Sequence, residues 1–222
     1  LNVCVEKQGV SYFVGSRTIG SYEILHQCFL QSDVQADIVC IVHGYTDHGG
    51  LFAKVISYLL GEGKSVVLFD FPGHGLSSGE RATIESFDSY HQIFVDCFHF
   101  YQGHFGTPIH LLAQSMGGAV VMHCLLLGQI KTSELGKVVL FAPLVRPMKW
   151  GKAVWSYRLL SKVVSSLPRG ESENSEDKHF TRFVRYEDPV QHDRLPTQWV
   201  GAMINWVKEF EALSVEKTND GR

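Results

Sequence analysis

The sequence has no Cys-x-x-Cys pair, no run of lysines or arginines, and no apolar stretch long enough to cross a bilayer. Its five cysteines (Cys4, Cys28, Cys40, Cys97, Cys124) are odd in number and widely spaced, which argues against a zinc knuckle or a redox motif. Cys40 falls in a strand-like apolar run and Cys124 in a helix-like one. Both read as small buried residues suited to a reducing compartment. A net charge of −3 without a basic stripe argues against a nucleic-acid partner, leaving a small molecule or lipid by elimination. LNVCVEKQG has no charged start followed by an apolar stretch, so no leader is read there. The expected location is the cytoplasm, with peripheral contact at the inner face of a membrane left open. The chain opens on Leu and ends in the polar string KTNDGR without closing a pattern, so a C-terminally truncated molecule is expected.

What is present is an ordinary globular composition, 45% apolar and 19% charged, over 222 residues. Short strands are expected at 10–15 and 21–30. Continuous apolar runs at 36–44, 64–71, 108–113 and 137–143 read as strands buried on both faces. Helical spacing is expected between them, at 50–63, 83–102 and 116–128. Strand and helix alternating in this way predict an α/β fold with a mostly parallel sheet and helices on both faces. After Leu144 the rhythm changes to aromatic-rich helices at 148–167 and 195–213, joined by an acidic loop at 170–179. The expected division is a core over 1–145, a helical lid over 146–213, and the start of a return to the core over 214–222.

The stretch LLAQSMGGAV carries the most chemistry. Ser115 stands between a buried strand and a helix, with the small residues Ala113 and Gly117 two positions either side and Gly118 adding clearance. A sharp strand-to-helix turn needs small neighbours at those positions, and it presents the serine as a nucleophile. Ala113 replaces the usual glycine, a departure of one methyl. A helix beginning behind Ser115 would aim the amide of Met116 at the oxyanion formed on attack. On this signal alone, a helix-capping serine fits equally well.

Two upstream loops add to it. HGYTDHGGLF (43–52) follows a buried strand where the second oxyanion-hole amide is expected, here that of Tyr45, with His43 and Gly44 shaping the turn. His48 reads as a loop-orienting or surface residue. His43, Asp47 and His48 also resemble part of an H-x-H-x-D-H metal signature, but Tyr45 occupies the place of the second histidine, so no metal is expected. In DFPGHGLSSGERATIESFDSY (70–90) the glycine spacing is not that of a dinucleotide fingerprint, and Asp70 and His74 read as loop-fixing residues.

In this order and spacing the three stretches resemble the monoacylglycerol lipase and lysophospholipase group of α/β-hydrolases, within the serine aminopeptidase S33-type superfamily. The match runs over roughly 20–145. The resemblance implies an α/β-hydrolase fold with a helical lid, Ser115 as nucleophile, an oxyanion hole from the Tyr45 and Met116 amides, and no cofactor. It implies a small lipid ester as substrate, with His43, Gly44, Gln114, Trp150 and Trp155 as substrate-binding candidates. Lids of this group form an acyl channel and can touch membranes. Trp150, Trp155, Trp199 and Trp206 suit that role, although aromatics at helical spacing equally suit lid core.

A serine nucleophile needs a histidine base and an orienting acid, in the chain order serine, acid, histidine. Asp188 with His192, and Asp177 with His179, have that order but lie in the lid and too close together to hang from separate strands. His91, His99, His104, His110 and His123 fall on or beside helices and a strand. The acid and the base are therefore expected beyond Arg222, and little esterase activity is expected of these residues alone. The competing readings are an aminopeptidase or amidase, hinted at only by Glu171, Glu173, Glu176 and Asp177, and a binding protein on a hydrolase scaffold.

Overall fold

The computed structural model describes residues 9–106, 108–147, 150–168 and 175–219, with 214–219 by backbone alone. Two ten-residue strands, β1 (Val10–Ile19) and β2 (Tyr22–Gln31), form an antiparallel ribbon. Its turn passes through Gly20 at φ +58°, a conformation glycine adopts without steric cost. β2 then pairs antiparallel with β4 (Ser65–Phe69). β4 lies parallel to β3 (Ile38–Val42), β3 parallel to β5 (Ile109–Gln114), and β5 parallel to β6 (Leu135–Phe141). The sheet order is β1-β2-β4-β3-β5-β6, and among the described residues β6 is bonded on one side only. The expected α/β architecture with a mostly parallel sheet is what is found.

Every residue of β3 and β4 is buried, because helices cover both faces of the sheet. On one face Cys40, Val42, Val67, Phe69 and Leu111 pack with α2 (Phe87–Phe105), α3 (Ser115–Leu126) and α6 (Thr197–Asn219). On the other, Phe29, Ile41, Val66 and Leu68 pack with Phe52 and with Ile56 and Leu60 of α1 (Ala53–Gly61). Alternate residues of one strand thus serve two cores, so a one-residue slip would exchange them. The parallel crossovers bring the ends of β3, β4 and β5, with the loops that follow them, to one edge of the sheet.

Several boundaries differ from expectation. α2 opens at Phe87 rather than Thr83, because Ser86 is the capping residue, its hydroxyl accepting from the Asp88 N–H at 3.1 Å. Thr83 is buried in the preceding turn, beside Ala82 at φ +54°. The helix expected over 148–167 is α4 (Trp150–Leu160); Met148 and Lys149 lie outside the described residues. Past it, β7 (Ser166–Pro168) pairs antiparallel with β8 (Arg194–Pro196). Prolines close both short strands, and Pro196 disfavours helix at Leu195, so α6 starts at Thr197 rather than Leu195. Within the expected acidic loop, Asp177 caps α5 (Lys178–Arg182), which continues into one π-helical turn at Phe183–Glu187.

Candidate active site

β5 runs directly into α3 with Ser115 at the junction. Gln114 is extended, at φ −118° and ψ 139°, and Ser115 has φ +49°. A non-glycine residue in the left-handed region is strained by about 1–2 kcal/mol and persists only where its surroundings hold it. Here the surroundings are tight. A β-carbon on Gly117 would lie 2.5 Å from the carbonyl oxygens of Val42 and His43, and one on Gly118 would lie 2.9 Å from Pro143 Cβ. The Ser115 carbonyl accepts from the Leu144 N–H at 2.9 Å. Ala113 is fully buried, its methyl absorbed in the core. The elbow is therefore wedged between the end of β3 and the chain leaving β6.

The loop after β3 leans on the same point. A β-carbon on Gly44 would lie 3.2 Å from Ser115 Cβ and 2.8 Å from Asp47 Oδ2. His43 beneath it is fully committed: its Nδ1–H donates to the Gly44 carbonyl at 2.8 Å, and its Nε2 accepts from the Phe71 N–H at 2.8 Å. Burial pushes this ring down to about 4, so it is neutral at physiological pH. His74, with Nδ1 2.8 Å from the Pro72 carbonyl, is pushed to about 3 by burial and then by the nearby His43. Asp70 ties the loops together. Its Oδ1 accepts from the Gly49 N–H at 2.8 Å, its Oδ2 from the Leu76 N–H at 3.1 Å, and its carbonyl from the Ser77 hydroxyl at 2.6 Å. Loop fixing is the part Asp70 and His43 play here.

Ser115, Gln114, Met116, His43 and Gly44 come together at this edge; Ser115 and Gln114 are half-buried, Met116, His43 and Gly44 buried. The Tyr45 ring stacks on Trp199 of α6, and its hydroxyl donates to the Ala82 carbonyl at 2.7 Å. The four tryptophans expected in a lid separate. Trp199 and Trp206 are core residues and Trp150 is half-buried against the core, whereas Trp155 is 66% exposed and turned away from it. Trp206 donates from Nε1 to His123 Nδ1 at 2.9 Å.

The lid pairs weighed from sequence are differently partnered. Asp188 accepts from His48 rather than from His192, with Oδ2 2.9 Å from His48 Nε2. His48 is buried, not a surface residue. Asp177 binds Lys54 Nζ at 2.9 Å and the first amides of α5. Glu171 and Glu173 lie outside the described residues. Among the described residues, no histidine or carboxylate side chain hydrogen-bonds the Ser115 hydroxyl. Both ring nitrogens of His43 and of His48 are engaged, so neither is available as a metal ligand. The His48–Asp188 and Tyr45–Trp199 contacts had no signal in the sequence, since each spans some 140 residues or more.

Comparison with known proteins bears on the family and the fold. A family profile described as "Serine aminopeptidase, S33" matches residues 34–216. The chain is 26% identical over 182 residues to the phospholipase YtpA of Bacillus subtilis, covering 81% of this chain and 68% of that protein. It is 29% identical over 109 residues to human monoglyceride lipase, covering 49% of this chain and 35% of the lipase. Among solved structures, a monoglyceride lipase from Saccharomyces cerevisiae, bound to a substrate analogue, superposes with a TM-score of 0.70 at 16% identity, over 90% of this chain and 69% of that one.

Proposed function

The chain belongs to the serine aminopeptidase S33 family and has the α/β-hydrolase fold, and on that premise we propose that it is a serine hydrolase cleaving carboxylic esters of lipids, of the monoacylglycerol or lysophospholipid type. The observation that carries the reading is Ser115 at φ +49°, held between a strand and a helix with Gly44 and Gly117 packed against the turn. Lipases and a phospholipase among the relatives support the ester class.

In this reading Ser115 Oγ attacks the ester carbonyl, and the negative charge that develops is met by the amides of Tyr45 and Met116. Met116 lies in the first turn of α3, where the first N–H groups have no partner within the helix. The alcohol leaves, an acyl-enzyme forms on Ser115, and water cleaves it. The base and its orienting acid are assigned to polypeptide outside these 222 residues, because no described histidine or carboxylate side chain hydrogen-bonds Ser115 and the acids of the two lid pairs, Asp177 and Asp188, are bonded to Lys54 and His48. Gln114, His43 and Gly44 shape the floor on which the carbonyl sits. Membrane contact is assigned to α4 and the turn after it. Trp155, Leu159, Leu160 and Val163 are exposed there, with Lys152, Arg158 and Lys162 alongside. Among the described residues no helix is long and apolar enough to cross a membrane.

The test is reaction of the full protein with a fluorophosphonate probe and with monoacylglycerol, wild type against Ser115→Ala. Labelling and cleavage lost in the variant support the reading. Cleavage of aminoacyl-anilides in place of esters would move the substrate to the peptide class, and absence of labelling would leave a binding protein. Robust ester cleavage by residues 1–222 alone, lost in Ser115→Ala, would overturn the assignment of the base to other polypeptide.

A further inference from the structure

One short segment of chain, from Asp188 to Trp199, reaches the loop after β3 at two points three residues apart. Trp199 stacks on Tyr45, with ring centroids 3.7 Å apart, and Asp188 Oδ2 lies 2.9 Å from His48 Nε2. The second contact is dry: the side chains of His48 and Asp188 are 7% and 1% exposed.

Donor accounting fixes its polarity. The Gly50 N–H donates to His48 Nδ1 at 3.2 Å, so Nδ1 is an acceptor and Nε2 carries the proton given to Asp188. A neutral ring satisfies both bonds. The carboxylate is set from its own side: Oδ1 accepts from the Val190 N–H at 3.1 Å, and the Asp188 N–H closes the π-helical turn on the Phe183 carbonyl at 2.9 Å. On the loop side, His48 also heads the short turn Gly49–Phe52, whose first N–H is held by Asp70. Breaking the pair would leave Asp188 Oδ2 and the buried His48 ring N–H unpaired, with Oδ1 still held by the Val190 N–H, and the cheapest relief is withdrawal of the segment towards water. That movement would also lift Trp199 from Tyr45.

We propose that His48 and Asp188 are positioning residues: they latch the lid segment to the loop and so hold the Tyr45 N–H where the oxyanion forms. The inference rests on the reading of Ser115 as nucleophile and of Tyr45 as an oxyanion donor. It makes assembly of the hole depend on the lid being seated, so substrate entry and hole formation are linked.

The experiment follows the Tyr45 and Met116 amide cross-peaks and the His48 ring N–H resonance in the isotope-labelled full chain, for wild type, Asp188→Asn, His48→Leu and His48→Gln. Asp188→Asn keeps the shape but turns an amide donor towards the His48 donor; His48→Gln restores a donor without a ring. The expected result is loss of the ring N–H resonance in Asp188→Asn and displacement of the Tyr45 cross-peak in both Asp188→Asn and His48→Leu. His48→Gln should return Tyr45 towards its wild-type position, with Ile41 of β3 unmoved throughout. In ester turnover, His48→Leu should lower kcat on the order of tenfold with KM nearly unchanged, as expected for a misplaced transition-state donor. An unmoved Tyr45 cross-peak in folded Asp188→Asn, or a loss confined to KM, overturns the proposal. If Tyr45 moves but Ser115 takes no fluorophosphonate label, the latch stands and the hydrolase reading fails.

Discussion

Tyr45 and Trp199 lie face to face, centroids 3.7 Å apart and planes 22° from parallel, although 154 positions separate them in the chain. The Tyr45 ring is thus clamped by α6 on its face while its hydroxyl is anchored on Ala82. The residue to which an oxyanion amide is assigned is fixed by its side chain, far from the amide itself. Tyr45→Phe keeps the stack and loses one partly buried hydrogen bond, so it should lower unfolding stability by about 1 kcal/mol. Trp199→Ala removes a buried indole and should cost about 3–5 kcal/mol. Urea unfolding of both variants checks the order.

The glycines of the elbow should separate stability from reactivity. Gly117→Ala meets two backbone carbonyls at 2.5 Å, neither free to turn aside, and should destabilise by roughly 1–3 kcal/mol. Gly44→Ala meets the Asp47 carboxylate and Ser115 Cβ, which can give by a few tenths of an ångström. It should cost less stability but slow fluorophosphonate labelling of Ser115. Paired denaturation midpoints and labelling rates decide this.

Acid should destabilise the fold through His43 and His74. Both are pushed down by burial, to about 4 and about 3, from the ordinary 6.5. As pH falls below 6.5 the unfolded chain takes up these protons while the folded chain does not. Stability is therefore complete above about pH 6.5 and falls towards pH 4, by up to about 1.4 kcal/mol per pH unit for each ring, levelling below the folded values. Unfolding free energies from about pH 7.5 to about pH 5 should decline with that sign; a flat profile would contradict neutral burial.

Asp70→Asn should be costly although nearly isosteric. The carboxylate accepts one amide on each oxygen, and an asparagine NH2 would face one of those donors. A loss of about 2 kcal/mol is expected, with Asp70→Ala no better. Thermal unfolding of the two variants side by side measures it.

On α4, Trp155→Ser with Leu159→Ser should leave stability within about 0.5 kcal/mol, since both side chains face water. The same double variant should bind less to vesicles containing anionic lipid, where exposed apolar groups and Lys152, Arg158 and Lys162 act together. Sedimentation with such vesicles reads the difference. Undiminished binding would remove α4 from the membrane assignment.

The strands and the elbow were legible because their signals are local. A five-residue run such as Ile38–Val42 can be buried on both faces only inside a covered sheet, and Ala113 and Gly117 flank a serine that only a sharp turn would require. The capping boundary at Ser86 was one turn away from the expected one because Thr83 and Ser86 are both competent caps; the fold chose between them by burying Thr83. The lid was less legible. Trp155 and Trp206 are the same residue type at helical spacing, yet one faces water and the other the core. What separates them is which helix finds the Phe87 and His123 surfaces, a tertiary fact. The pairing of His48 with Asp188, rather than of Asp188 with His192, likewise depends on a meeting 140 positions apart.

β6 carries a consequence for handling residues 1–222 on their own. Seven residues long, it has a neighbour on β5's side alone among the described residues, and it leaves Val139 and Phe141 45% and 52% exposed. Within these residues that backbone edge, bordered by apolar side chains, is a template on which a further strand can build, whether of the same polypeptide or of another copy. β1, at the opposite edge of the sheet, exposes Tyr12, Phe13 and Val14 as well, so residues 1–222 by themselves present two such templates, against which a net charge of −3 spread over the whole surface offers weak repulsion. Lysines placed outward on these two edges should do more for dispersal of residues 1–222 than the same number added to the helices.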